Sequence, residues 1–114
     1  MLTRKSKAKF LFEALRVELR GYIMASLGRT VEAREALQAL LPLARERYVP
    51  PYAFALVYAG LGDRDAVFDS LNRAFEVRDV NLIFLPADPK WDPFRTDERF
   101  RALIERCQFA NVGS

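Results

Sequence analysis

The feature that most constrains this chain is a partial repeat of its own sequence after 34 residues. A shift of that length aligns Ala25 with Ala59, Leu27 with Leu61, Gly28 with Gly62, and Leu37 with Leu71. A helical unit that cannot bury its apolar face alone can bury it against the next unit, and stacking requires small and large residues to recur in register. The interval therefore predicts two stacked copies of one unit within a single domain, residues 1–114.

The first unit reads as two helices joined by a glycine turn. Apolar residues spaced by three or four predict a first helix over residues 8–27, with an inward face of Phe12, Leu15, Leu19, Tyr22 and Ser26. Gly28 suits the left-handed backbone that ends a helix, and Thr30 suits the cap of the next one. The second helix is predicted over residues 31–41, with an inward face of Ala33, Ala36, Leu37, Leu40 and Leu41. Pro42 predicts a kink or an end near Leu41, with a last turn through Arg47.

The second unit repeats this plan. Pro50 and Pro51 suit the start of a third helix, which is predicted to run to Leu61 and to stop at Gly62. A fourth helix is predicted over residues 64–77, with an inward face of Val67, Phe68, Leu71, Ala74 and Phe75.

The stretch LPADPKWDPFRTDERF interrupts the repeat, because Pro86, Pro89 and Pro93 forbid a regular third opening helix. Thr96 is a candidate cap for a closing helix, whose inward residues would be Phe100, Leu103, Ile104 and Cys107. Trp91 and Phe94 are expected to pack beneath it. The predicted parts are a first repeat over residues 8–47, a second over 48–79, a proline-rich connector over 80–96 and a capping helix over 97–107.

The period, the Leu-Gly turn and the apolar residues that follow it resemble the tetratricopeptide repeat. The stretches YVPPYAFALVYAGLGDRD and DPKWDPFRTDERFRALIER are similar to the C-terminal tetratricopeptide segments of bacterial signalling proteins, and the resemblance covers about residues 18–107. The first unit departs from the pattern, since Arg20 stands where the second has Phe54. The resemblance implies an all-α fold, a short right-handed solenoid with a C-terminal capping helix. It also implies a protein–protein interaction module, adaptor or regulatory in role and without catalysis.

In this family the opening helices line a concave groove that binds a helix or peptide. The positions that match the groove are Leu15, Glu18, Tyr22, Ala25, Val49, Tyr52, Leu56 and Ala59. Tyr22 and Tyr52 are the candidate anchors, because aromatic residues with a polar tip bury much area at little entropic cost. The equal alternative is that both tyrosines pack against the protein's own capping segment, through Ile83, Phe84 or Trp91.

The amino-acid composition argues against a catalytic or metal-binding role. The chain has no histidine and a single cysteine, so a general base and a zinc site are both hard to build. Asp63, Asp65 and Asp69 form the best carboxylate cluster, but helix capping by Asp63 or Asp65 explains it better than metal binding. We therefore expect no enzyme activity, no cofactor, no metal and no small-molecule substrate.

Two other functions remain open. An apolar patch near the start of the first helix could form a homodimer interface; it consists of Phe10, Leu11 and Phe12. The formal charge of +3 is concentrated in the first 20 residues, so nucleic-acid or anionic-surface binding is a disfavoured alternative, through Arg4, Lys5, Lys7 and Lys9. With neither a secretory signal nor an apolar run of membrane length, a cytoplasmic location without membrane contact is expected.

Overall fold

All regular secondary structure in the part that the structure describes is helical, which confirms the predicted all-α class. The computed structural model describes residues 4–46 and 49–108, with side chains for residues 15–45 and 49–108. The five α-helices there are α1 (Arg4–Ser26), α2 (Thr30–Glu46), α3 (Pro51–Leu61), α4 (Arg64–Glu76) and α5 (Glu98–Cys107). Two 3₁₀ helices lie between α4 and α5, η1 (Val80–Phe84) and η2 (Pro89–Phe94).

The two corners that follow α1 and α3 are built alike. Gly28 and Gly62 both have left-handed backbone, with φ of 80° and 74°, which only glycine adopts without a steric penalty. Three amide donors of the first corner recur 34 residues later in the second, on equivalent acceptors. The pairs are Gly28 N to Ala25 O and Gly62 N to Ala59 O, Arg29 N to Met24 O and Asp63 N to Tyr58 O, and Ala33 N to Arg29 O and Val67 N to Asp63 O. The predicted glycine corners are confirmed.

Helix α1 packs against both α2 and α3, and α3 packs against α4. Two glycines bring these backbones close together. A Cβ atom on Gly21 would lie 2.8 Å from the Cβ atom of Ala36, and one on Gly60 would lie 2.8 Å from the Cβ atom of Ala25. Neither glycine could carry a side chain without moving a neighbouring helix, so small residues set the spacing of the first three helices.

The predicted inward face of α1 is wrong. Leu15, Leu19 and Ser26 are exposed, Tyr22 is only partly buried, and the buried positions are Gly21 and Ala25. The close approach to α2 and α3 explains the difference, because it leaves room for glycine and alanine but not for leucine. The side chain of Phe12 lies outside the described residues.

The end of α2 also differs from the prediction. The helix continues through Pro42 to Glu46, and Leu41 is exposed, whereas Ala33, Ala36, Leu37 and Leu40 are buried as predicted. Pro42 is exposed, so its ring lies on the solvent side of α2. Buried side chains on the opposite side hold the helix in place. Thr30 is the first residue of α2 rather than its cap. Arg47 lies outside the described residues.

The second unit follows the prediction closely. Helix α3 begins at Pro51 and ends before Gly62, and α4 ends one residue before the predicted Val77. The predicted inward residues of α4 are buried, apart from Phe75, which is partly buried; the buried ones are Val67, Phe68, Leu71 and Ala74.

Residues 79–97, which we call the fold-back segment, replace a third opening helix. Trp91 is fully buried and Phe94 is 3% exposed, so both pack in the core as predicted. Asp97, and not Thr96, caps α5, because its carboxylate accepts a hydrogen bond from the amide of Arg99. Phe100 and Leu103 of α5 are buried, and Ile104 and Cys107 are partly buried against the same core.

Helix α5 lies parallel to α4 and in register with it. The Arg99 guanidinium donates to the Asp65 carboxylate at 2.8 Å, and the Arg106 guanidinium donates to the Asn72 side-chain oxygen at 3.4 Å. In each of these two pairs the residues are 34 positions apart in the sequence. An antiparallel pair would reverse the order of the partners, so α5 runs parallel to α4 with a constant offset of 34 residues.

Candidate functional site

Tyr52, a predicted groove anchor, is part of the core. Its hydroxyl oxygen accepts a hydrogen bond from Nε1 of Trp91 at 2.9 Å, and the two rings meet edge-on with 5.5 Å between centroids. Tyr52 and Leu56 are each 5% exposed. Burial raises the pKa of Tyr52 to about 12. Of the two readings of this tyrosine, the structure supports packing against the protein's own segment.

Two residues that the sequence reading missed hold the fold-back segment in place. The buried carboxylate of Asp79 accepts hydrogen bonds from the amide of Tyr52 at 3.1 Å and from the amide of Asn81 at 3.0 Å. The Arg95 guanidinium donates to the carbonyl oxygens of Leu85 and Asp88, at 3.0 and 2.9 Å. These partners are scattered through an irregular stretch, so no periodic sequence signal marks them. These hydrogen bonds hold the fold-back segment in place across the second half of the predicted groove.

The first half of the predicted groove, formed by residues of α1, is more accessible than the second half, formed by residues of α3. Tyr22 is partly buried, and the Lys90 ammonium lies 5.7 Å from the centre of its ring. Burial, and secondly the charge of Asp79, raise the pKa of Glu18 to about 7, although Lys90 opposes the shift. Leu15 is 46% exposed.

The structure brings only part of the predicted site together on an accessible surface. Leu15, Glu18 and Tyr22 are exposed or partly buried on α1. Ala25, Val49, Tyr52 and Leu56 are buried, and Ala59 is partly buried.

An open depression lies on another face, between α2 and α4. Phe54 and Tyr58, one turn apart on α3, are partly buried and line two cavities of about 370 and 170 Å³. The larger cavity is also lined by Ala44, Val49, Pro51, Ser70, Arg73 and Val77, and the smaller by Arg34, Leu37, Gln38 and Leu41. We call this surface the α2–α4 furrow: its floor is formed by Phe54 and Tyr58, and its walls by α2 and α4.

Each rim of the furrow carries an exposed apolar residue. Leu41 on α2 and Val77, which directly follows α4, are each 42% exposed. Because an exposed leucine and an exposed valine line the cavities beside a partly buried aromatic pair, the furrow can bury large apolar side chains of another molecule. This surface was not predicted from the sequence, because neither Phe54 nor Tyr58 was among the candidate binding residues.

The outer face of α1 carries a second apolar surface. Leu15, Leu19 and Ile23 are exposed there at intervals of four, and exposed Leu27, directly after the helix, continues the stripe. The predicted dimer patch, Phe10, Leu11 and Phe12, precedes this stripe on the same helix, but its side chains lie outside the described residues. The same is true of the basic residues Arg4, Lys5, Lys7 and Lys9.

The aspartate cluster has structural partners. Asp63 caps α4 by accepting from the amide of Ala66 at 3.2 Å, and Asp65 pairs with Arg99. Within residues 15–45 and 49–108 no group of acidic or cysteine side chains is arranged to hold a metal ion. Burial raises the pKa of the Cys107 thiol, which lowers its thiolate content. None of the helices in the described part of the chain combines the length and apolar content of a membrane-spanning segment.

Comparison of the chain with protein-family models, with curated proteins and with solved structures finds no match.

Proposed function

We propose that this chain is a protein-interaction module of the tetratricopeptide-like kind, in which stacked helical hairpins bind a helix or peptide from a partner. The recurrence of the corner hydrogen bonds after 34 residues supports this class, as does the parallel register of α5 on α4. Both are what a short solenoid of stacked units requires. An adaptor or regulatory role follows from the class, because such arrays present extended surfaces rather than reaction centres.

The docking surface that we propose is the α2–α4 furrow, and the observation that carries this choice is its cavity of about 370 Å³ beside partly exposed Phe54 and Tyr58. Cavities of this size hold large side chains, and aromatic residues are enriched among the anchors of protein interfaces. The predicted concave groove offers less, because Tyr52 and Leu56 are already covered from within. Leu15, Glu18 and Tyr22 remain candidates for a further contact with the same partner.

An amphipathic helix fits this furrow by the usual logic of helix-in-groove recognition. Its apolar face would insert large side chains beside Phe54 and Tyr58, while Leu41 and Val77 exclude water from the two edges. Affinity would then come mainly from apolar burial.

The test is selection of helical peptides from a randomised display library against the immobilised protein. Leu41→Ser removes an exposed rim side chain with little cost to the core, and Leu27→Ser removes an exposed leucine from a different face as the matched control. We expect enriched peptides to bind the Leu27→Ser protein as tightly as wild type and the Leu41→Ser protein at least about fivefold more weakly. Equal binding to both variants would refute the furrow as the docking surface.

Self-association is a second candidate, and the apolar stripe on α1 favours it. Pairing of two copies through Leu19 and Ile23 would bury residues that are 37% and 51% exposed in the single chain. Light scattering should then show a dimer that the double substitution Leu19→Ser, Ile23→Ser converts to a monomer. A wild-type monomer at high protein concentration would exclude this function.

A further inference from the structure

The charges that line the α2–α4 furrow have one sign. Among its described lining residues, Arg34 on α2 and Arg73 on α4 are the only charged ones. They lie on opposite walls, and the aromatic floor runs between them. Gln38 and Ser70 add one neutral hydrogen-bonding side chain to each wall. An apolar strip is thus bordered on both sides by a cation.

Neither arginine is neutralised by the described part of the chain. Several other arginines of the fold pair with a carboxylate within 4.0 Å, among them Arg64 with Asp97 and Arg99 with Asp65. By contrast, Arg34 and Arg73 form no ion pair with any residue in the ranges 15–45 and 49–108. Asp69 lies one turn before Arg73 on α4 and Glu76 lies three residues after it, yet neither carboxylate is within 4.0 Å of the Arg73 guanidinium.

Two unpaired guanidinium groups across an apolar strip select for carboxylates on both flanks of an apolar ridge. Arginine binds carboxylates through a planar fork of donors, and complementary charge sets the orientation and choice of a partner more than its total affinity. A helix with large apolar residues at i, i+3, i+4 and i+7 and glutamate or aspartate on either side presents that pattern. A basic helix would bring like charges together on both walls.

Resting on the proposed function, we infer that the partner of the furrow is an acidic amphipathic helix of another protein. Its apolar residues contact Phe54 and Tyr58, and its carboxylates pair with Arg34 on one side and Arg73 on the other.

The experiment takes the peptides that the display selection enriches and compares the charge of their flanks with that of the unselected library. We expect an excess of Asp and Glu on both sides of the apolar ridge. Binding of a selected peptide should weaken about fivefold or more with Arg34→Glu, and about two- to fivefold with Arg73→Gln. It should be unchanged by Arg101→Glu, which makes the same change of charge at an exposed position of α5. Binding should also weaken as salt is raised.

The outcomes separate this inference from the proposed function. Selected peptides with neutral or basic flanks, whose binding still depends on Leu41, would overturn the acidic partner and leave the furrow as a docking surface. A selection that yields no peptide dependent on Leu41 would overturn both. A dimer of the wild-type protein that Leu41→Ser abolishes would assign the furrow to a second copy of the chain, which also overturns the acidic partner. Circular dichroism of each variant checks that it is folded.

Discussion

Replacement of Tyr52 by phenylalanine tests whether the fold-back segment is fastened to α3 by the hydrogen bond between Tyr52 and Trp91. The substitution keeps the ring and removes only the oxygen that accepts from the indole at 2.9 Å. Because Trp91 is fully buried, its N–H group then has no water to replace the lost acceptor. A buried donor left without a partner costs about 1–3 kcal/mol.

For a domain of this size a loss of about 2 kcal/mol lowers Tm by roughly 8 °C. We expect this shift for Tyr52→Phe in thermal unfolding followed by far-ultraviolet circular dichroism. Urea unfolding should show a lower midpoint with an unchanged slope, since the folded and unfolded surfaces stay the same.

The matched control is Tyr22→Phe. The Tyr22 hydroxyl makes no hydrogen bond to any described residue and its ring is only partly buried, so we expect a change below about 0.5 kcal/mol. A double-mutant cycle with Trp91→Phe isolates the pair, and its coupling energy should be about 1 kcal/mol or more. Equal stability of the two tyrosine variants, or additivity of Tyr52→Phe and Trp91→Phe within about 0.3 kcal/mol, would refute the reasoning.

Two further predictions concern titration and capping. The folded pKa of Glu18, about 7, exceeds its ordinary value of 4.5, so the folded state holds the proton more tightly, and wild-type stability should fall as pH rises from 4.5 to 7. Glu18→Gln should remove this loss of stability. The measurement is the free energy of unfolding of variant and wild type at pH 4.5 and pH 8. The prediction is contradicted if the two proteins differ by the same amount at both pH values. Asp97→Ala should cost about 1 kcal/mol of unfolding free energy and Thr96→Ala less than about 0.5 kcal/mol, because Asp97 caps α5; urea unfolding that ranks them in the opposite order would place the cap at Thr96.

The corners and the second unit could be predicted because their signals are local. Gly28 and Gly62 stop helices through backbone conformation, and Pro51 marks a helix start, so each feature needs no knowledge of its neighbours. The inward face of α1 could not be predicted in this way. Hydrophobic periodicity favours large apolar residues, whereas the helices meet at Gly21 and Gly60, where only the absence of a side chain permits contact.

The candidate site shows the same division. Trp91 could be named as a possible partner of Tyr52, but Ile83 and Phe84 were equally open, because all three lie in an irregular stretch without a periodic signal. The furrow depends on how far apart α2 and α4 lie, and no pattern within either helix encodes that separation. Phe54 and Tyr58 are partly exposed because of the way the helices around them assemble.

The burial of Trp91 gives the protein an internal optical reporter. It is the only tryptophan in the chain, so the intrinsic emission excited near the red edge of protein absorption comes from one indole, enclosed by Tyr52 and Phe94. Detachment of residues 79–97 would expose that indole to water and shift its emission to longer wavelength. A ligand bound between α2 and α4 would leave the spectrum unchanged. One fluorescence trace can therefore distinguish loosening of the C-terminal half from occupation of the opposite face.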